Sequence, residues 1–406
     1  MMLKIIYRNL VHKPLNGLLS LTLLSLSVAI ISLLMVAGSQ VSGKLDNDLQ
    51  GIDMVVGAKG SPLQLVLSAV YHVDAPTGNI PKAEADKLLR NPMVESAIPL
   101  AYGDSYKGFR IVGTTLAYPG LYQATLGQGQ WFEKAMEIVV GADIAKKEKL
   151  QIGSNFHSTH GDDARGQVHD AASFRVVGIL NPTGTVLDQL LLTRLESVWE
   201  MHADHDDHEA HQEEGHGAET SPGQAEETEI TALLVKFRSP MGIMMLPRMI
   251  NENSTMQAAV PTLEINRLMN LMGIGIATLQ GIAFAIMLIA GLSVFVSLYN
   301  RLKERMFELA LIRTMGASRQ MIFLLLLAEG LLLSVAGFFA GVSLCRLGLN
   351  LLNRTAARDF KFSFSYHWVQ QEWWLFGVTV FIGIFAAATP AIKAYRLNIA
   401  KTLGDG

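Results

Sequence analysis

The chain has 406 residues, half of them apolar and only 17% charged, and its mean hydropathy is positive; a soluble protein usually carries about 25% charge. A net charge of −3 leaves no basic field for nucleic acid. The single cysteine, Cys345, excludes an intrachain disulfide and a cysteine metal cluster.

The charge deficit is concentrated in four stretches, so apolar spans alternate with water-soluble parts. At the N-terminus, Lys4, Arg8 and His12 recur every four residues, on one face of a helix. Two readings stay open there: a short interfacial helix and a plain basic flank. The first span follows at Leu15 to Gly38, long enough to cross a bilayer and too long for the apolar part of a cleaved signal.

A large insertion follows, giving a domain over 39–265 after the N-terminal piece 1–38. Runs rich in β-formers recur, "IDMVVGAKGSP", "ESAIPLAYGD", "GFRIVGTT", "MEIVVGADIA", "SFRVVGILNPTGT" and "ITALLVKF", bounded by turn residues. "PKAEADKLLRN" reads as a helix opened by proline and closed by Asn-Pro. The expectation is an α+β domain that relies on its core alone, for which the chain is long enough. "GAKGSP" at 57–62 lacks the spacing of a phosphate-binding loop and reads as a glycine-rich strand end.

Two loops in this domain collect histidine. His157, His160 and His169 lie with Asp162 and Asp163, and "HADHDDHEAHQEEGHGAE" supplies His202, His205, His208, His211 and His216. Eight of the eleven histidines fall in these two places. On a helix, His202, His205, His208 and His211 would chelate in pairs, and imidazole with carboxylate suits Zn²⁺. No Lys or Arg occurs between Arg194 and Lys236, where twelve acids do, and such a composition does not build a core. A preorganised catalytic zinc site is therefore disfavoured. A loose zinc-collecting loop over 200–228 and a solvated acidic linker both remain.

The third region, 266–406, holds three more spans: Leu271 to Tyr299, Met321 to Leu344 and Trp373 to Ile392. The last opens on an aromatic pair suited to the membrane interface. Basic residues gather before the first span (Lys4, Arg8, Lys13), between the second and third (Arg301, Lys303, Arg305, Arg313, Arg319), and after the fourth (Lys393, Arg396, Lys401). By the positive-inside rule these segments are cytoplasmic, as are both termini. Glu329 lies about two turns into the third span, where a carboxylate is costly; it reaches the interface or pairs with a basic residue of the preceding segment.

Between the second and third spans, "YNRLKERMFELALIRTMGASRQMIFLLLLAEG" becomes specific. Leu309, Ile312 and Met315 fall at three-residue spacing, an apolar ridge, and Gly316 is a helix stop. Glu304, Arg305, Glu308 and Arg313 surround it. This segment, with the ending "TPAIKAYRLNIAKTL", resembles the FtsX-like permeases. One span, a large outer domain and three further spans is also the layout of MacB-type permeases, the mechanotransmitting ABC proteins.

That resemblance implies a four-helix membrane protein whose periplasmic α+β domain lies between helices 1 and 2. It makes the 304–316 segment a coupling helix on a cytosolic ABC ATPase, which binds the ATP. It implies a second permease copy or paralogue, a periplasmic binding or adaptor protein, and a membrane lipid setting. The chain shows no nucleotide-binding domain of its own and no Ser–His–acid or HExxH arrangement, so it reads as a non-enzyme. The cargo stays open: a metal such as zinc, lipoprotein, peptide, haem, drug, or control of a cell-wall hydrolase. A membrane-anchored metal sensor is the alternative from another class.

Overall fold

The computed structural model describes residues 14–159, 168–201, 228–356, 368 and 370–396. They divide into a helical unit, Met1–Val41 with Leu271–Gly406, and a sheet unit, Ser42–Asn270. Helix α1 (Pro14–Asp48) opens the described chain.

In the sheet unit the elements follow as β1 (Met54–Ala58), α2 (Pro62–Ala69), β2 (Ile80–Pro81), α3 (Lys82–Leu89), β3 (Val94–Tyr106), β4 (Phe109–Thr114), α4 (Ala117–Leu121), β5 (Leu126–Gly129), β6 (Glu137–Val140), α5 (Ala142–Glu148), β7 (Asn155–Thr159), β8 (Val168–Leu180), β9 (Leu191–Arg194), β10 (Glu229–Ile230), β11 (Ala232–Phe237), α6 (Met241–Asn253) and β12 (Met256–Ala259). The six β-rich runs of the sequence are thus β1, β3, β4, β6, β8 and β10 with β11. "GAKGSP" is the end of β1 and the start of α2, where the Ser61 hydroxyl accepts from the Gln64 N–H and Pro62 occupies the first helical turn, a position that needs no N–H.

The large sheet has the order β12-β1-β11-β3-β4-β9-β6-β8-β5, with β7 pairing β3 and β8. Most neighbours are antiparallel, while β4 with β9 and β6 with β8 run parallel. Both faces are buried, which explains why the strands read as continuous apolar runs. Successive residues serve opposite layers: Ile111, Val140 and Leu191 enter one core and Val112, Val139 and Leu192 the other. The second layer also takes in Leu45 near the end of α1, and Ile265 and Leu268.

The remaining helices are α7 (Pro261–Glu304), α8 (Met306–Thr314), α9 (Arg319–Ala356) and α10 (Gln370–Tyr395). Four of the described helices, α1, α7, α9 and α10, are long and apolar enough to cross a membrane. With 44 residues, α7 is about 66 Å long, some twice the hydrocarbon thickness of a bilayer. Within the helical unit small residues set close approach: a Cβ added at Gly383 would overlap the Ser334 hydroxyl, and one at Gly341 would meet the Ser25 carbonyl and Val28. Such seams hold helices together where apolar burial gives no advantage over lipid.

Candidate functional site

The segment between the second and third spans folds as an elbow. After α7, Arg305 breaks the helix, its N–H shared between the Arg301 and Leu302 carbonyls. α8 then runs to Thr314, and Gly316 takes a φ of +105°, a conformation costly for any residue with a Cβ. The Met321 N–H donates to the Ser318 hydroxyl at 3.2 Å, a cap for the start of α9.

Leu309 is buried with Leu302, Ile322, Leu326, Ala391 and Ala394, and Ala310 is buried beside it. Leu311 and Met315 are exposed, four residues apart and so on one face. The expected ridge is therefore divided: Leu309 anchors the elbow to the helical unit and Met315 faces outward, while the side chains of Glu308 and Ile312 lie outside those described. Glu304 is exposed, and Arg305 and Arg313 are half-exposed.

Two buried ion pairs tie the spans. The Arg301 guanidinium donates to Glu329 at 2.6 Å, so the intramembrane carboxylate meets a basic residue at the start of the elbow. Its Nε and Nη2, and the hydroxyl of Ser297 one turn earlier, have no hydrogen-bond partner among the described residues. Farther along α9, Arg346 donates from Nη2 to Glu372 Oε2 at 2.6 Å. The Ser32 hydroxyl donates to the other carboxylate oxygen at 2.6 Å. Helices α1, α9 and α10 thus converge on one carboxylate that is wholly buried. Arg346 also lies 5.9 Å from the centre of the Trp368 ring, within cation–π range.

Sequence reasoning overlooked this second pair. Glu372 stands just before the Trp373–Trp374 pair and Arg346 just beyond the third apolar run, so both read as flanking charges. An arginine and a glutamate at the outer ends of consecutive spans was the available signal.

In the sheet unit an aromatic cluster grips the end of α1. The last four carbonyls of a helix lack intrahelical partners; here the Tyr71 hydroxyl donates to the Leu45 carbonyl at 3.1 Å and the Tyr122 hydroxyl to that of Asp48 at 2.8 Å. The Asp48 carboxylate accepts the Val186 N–H at 2.8 Å. Behind them Tyr118 stacks edge-on against Tyr122 and bonds His72 Nε2 at 2.9 Å. Burial pushes the Tyr71, Tyr118 and Tyr122 phenols well above their ordinary range, so they stay protonated and keep donating.

No group of three or more His, Cys, Asp or Glu side chains is placed to hold a metal among the described residues. His160, His202, His205, His208, His211 and His216 lie outside those residues, as does the side chain of His169. His157 sits exposed in β7. Beside it, Ser158 donates to Asp104 at 3.1 Å and approaches the sulfur of Met201 at 3.7 Å. Met201 is the residue that leads into His202, so the fold brings the roots of the two histidine-bearing segments together.

The family model of the MacB-like periplasmic core domain matches residues 18–234, and that of the FtsX-like permease C-terminal region matches 281–399. No curated protein matches the chain. The periplasmic region of MacB from Actinobacillus actinomycetemcomitans is similar at 12% identity and a TM-score of 0.34, over 55% of this chain and 96% of that one. The extracellular domain of the noncanonic ABC-type transporter YknZ from Gram-positive bacteria is similar at 12% identity and a TM-score of 0.31, over 50% and 98%. The two family models carry the assignment: the chain belongs to the MacB/FtsX-like ABC transporter permeases. It is a multi-pass membrane protein, in a family whose members lack a nucleotide-binding domain and work with ABC ATPase partners.

Proposed function

We infer that this MacB/FtsX-like permease is the membrane subunit through which a separate cytosolic ABC ATPase moves a periplasmic domain. The observation that carries the reading is the elbow helix α8. Buried Leu309 and Ala310 fix it to the helical unit, leaving exposed Leu311 and Met315 to seat in a groove of a partner. An apolar face of this kind, ringed by charges that set orientation, is a usual helix-in-groove contact. The basic residues around it support a cytosolic position for this side and for both termini.

The two ends of the transmission path have matching supports. Arg301 at the elbow is tied to α9 through Glu329, so displacement of α8 is passed into two spans. Residues 42–48 of α1 and 261–270 of α7 belong to the sheet unit; there the tyrosine hydroxyls and the apolar layer around Leu45 and Ile265 hold them. Two copies of the chain, or one with a paralogue, would provide the two membrane halves that an ABC complex needs.

A metal-linked process is the cargo reading we favour. The contact of Ser158 with Met201 supports it, because it brings the strand that carries His157 near the start of the 202–219 run. Loose Zn²⁺ capture by these histidines would concentrate metal for a periplasmic partner. Release or export of lipoprotein, peptide, haem or drug is the competing reading.

The test is capture of the ATPase. The tagged chain, extracted from its native membranes, is expected to bring down an ABC ATPase, and L311D/M315D to lose it with an unchanged melting temperature. Retention of the ATPase by that variant, or its absence from the unaltered protein, would refute the coupling role.

A further inference from the structure

α6 carries Met241, Met244, Met245 and Met249 within nine residues. All four are between 45% and 82% exposed. The opposite side of the helix, Gly242, Leu246 and Ile250, is buried in the core. The other described methionines of the sheet unit, Met54, Met93, Met136, Met201, Met256 and Met269, are buried or half-buried, as is usual for this side chain. An outward face that needed apolar area alone would draw on Leu, Ile or Phe; here only Ile243 is aliphatic. What the four share is the thioether.

Their spacing suits a shared ligand. Met241 stands three and four residues before Met244 and Met245, and Met249 follows four residues after Met245. Residues three and four apart on a helix have Cβ atoms about 5–6 Å from each other. Three rotatable bonds per side chain let the sulfurs close that gap. Thioethers are soft, neutral donors, and the first-row ion they select is Cu(I) rather than Zn²⁺ or Mg²⁺. The one cation of α6, Arg248, is held by Glu252 at 2.7 Å, so its charge is locally compensated.

We propose that Met241, Met244 and Met245 form a surface site for Cu(I) on the sheet unit. The site is independent of the coupling reading and of the histidine loops, whose ligand chemistry is different. Binding is simple coordination, with no electron transfer and no bond made or broken in the protein.

The test is Cu(I) titration of the purified full-length chain in detergent, under ascorbate and against bathocuproine disulfonate as competing chelator. The unaltered protein is compared with M241L/M244L/M245L and with M244L. Leucine keeps the apolar surface and removes sulfur, and the histidine loops contribute equally to all three proteins. The triple variant is expected to bind one Cu(I) fewer per chain, and M244L to hold that same ion roughly tenfold or more weakly. Overlaid circular dichroism melts check the fold, and if the triple variant unfolds, M244L alone decides. Equal stoichiometry and affinity in the folded variants would overturn the site and leave the face as an apolar contact surface.

Discussion

Replacing Arg346 by methionine removes the counter-charge of Glu372 while keeping much of the side-chain volume. In the folded protein Glu372 is fully buried and Arg346 has 18% of its side chain exposed. Stripping one partner from a buried pair costs about 3–5 kcal/mol, because the remaining charge stays desolvated. R346M should sit at the upper end, since Glu372 has no route to water. E372Q should sit at or below about 3 kcal/mol: the exposed part of Arg346 lets the guanidinium shift outward along its apolar stem, and the glutamine carbonyl still accepts from Ser32. The double variant R346M/E372Q leaves no charge behind, so its loss should fall well short of the sum of the two. The coupling in the cycle is then expected at about 2–3 kcal/mol. Reversible unfolding in mixed detergent micelles, followed by tryptophan fluorescence, measures all four proteins. Losses that simply add, or single variants each within about 0.5 kcal/mol of the parent, would refute the claim that this pair holds α1, α9 and α10 together.

Other predictions address separate parts of the molecule. Y122F leaves the buried Asp48 carbonyl without its phenol donor and should lower stability by about 1–3 kcal/mol; a melt indistinguishable from the parent would detach the tyrosine cluster from the anchoring of α1. G383A puts a methyl group into the Ser334 hydroxyl and should cost about 1–3 kcal/mol through overpacking, with G383A/S334A recovering only part of it in the same detergent assay, because the Cβ at position 334 still lies 2.6 Å from the added methyl. Replacing residues 202–227 by a Gly/Ser linker of the same length, which leaves buried Met201 in place, should lower the zinc bound per chain in equilibrium dialysis without changing the melting temperature, and should mimic the null strain under chelation, with zinc rescue. Growth of the null like its parent would turn the search for cargo towards lipoproteins, peptides and the cell wall.

The spans, their order and the strands of the large domain were legible because each rests on a local signal. Twenty apolar residues have few fates other than a membrane, and a run such as Met54–Ala58 between turn residues is a strand in any setting. The elbow was legible through the Glu308–Gly316 stretch, whose terminal glycine needs a positive φ. Its packing was less so: a three-residue ridge fixes which residues lie near one another on a helix but not which edge meets the protein, and the anchoring by Leu309 with Ala310 depends on Ile322, Leu326 and Ala391 from two other helices.

The Arg346–Glu372 pair and the tyrosine grip depended on tertiary structure altogether. Ser32, Arg346 and Glu372 come from three spans, and Glu372 became fully buried only when those helices closed around it; in the sequence it was one acid beside an aromatic pair. Tyr71 and Tyr122 lie just after short helices, and their phenols meet the C-terminal end of α1 because the fold carries α2 and α4 to the same place. The sequence by itself determined how the chain is partitioned between lipid and water, since hydropathy sums over neighbours along the chain. Only the tertiary structure decided which buried charges and hydroxyls meet, since those contacts join residues as far apart as 340 positions and exist only when the helices and the sheet are packed.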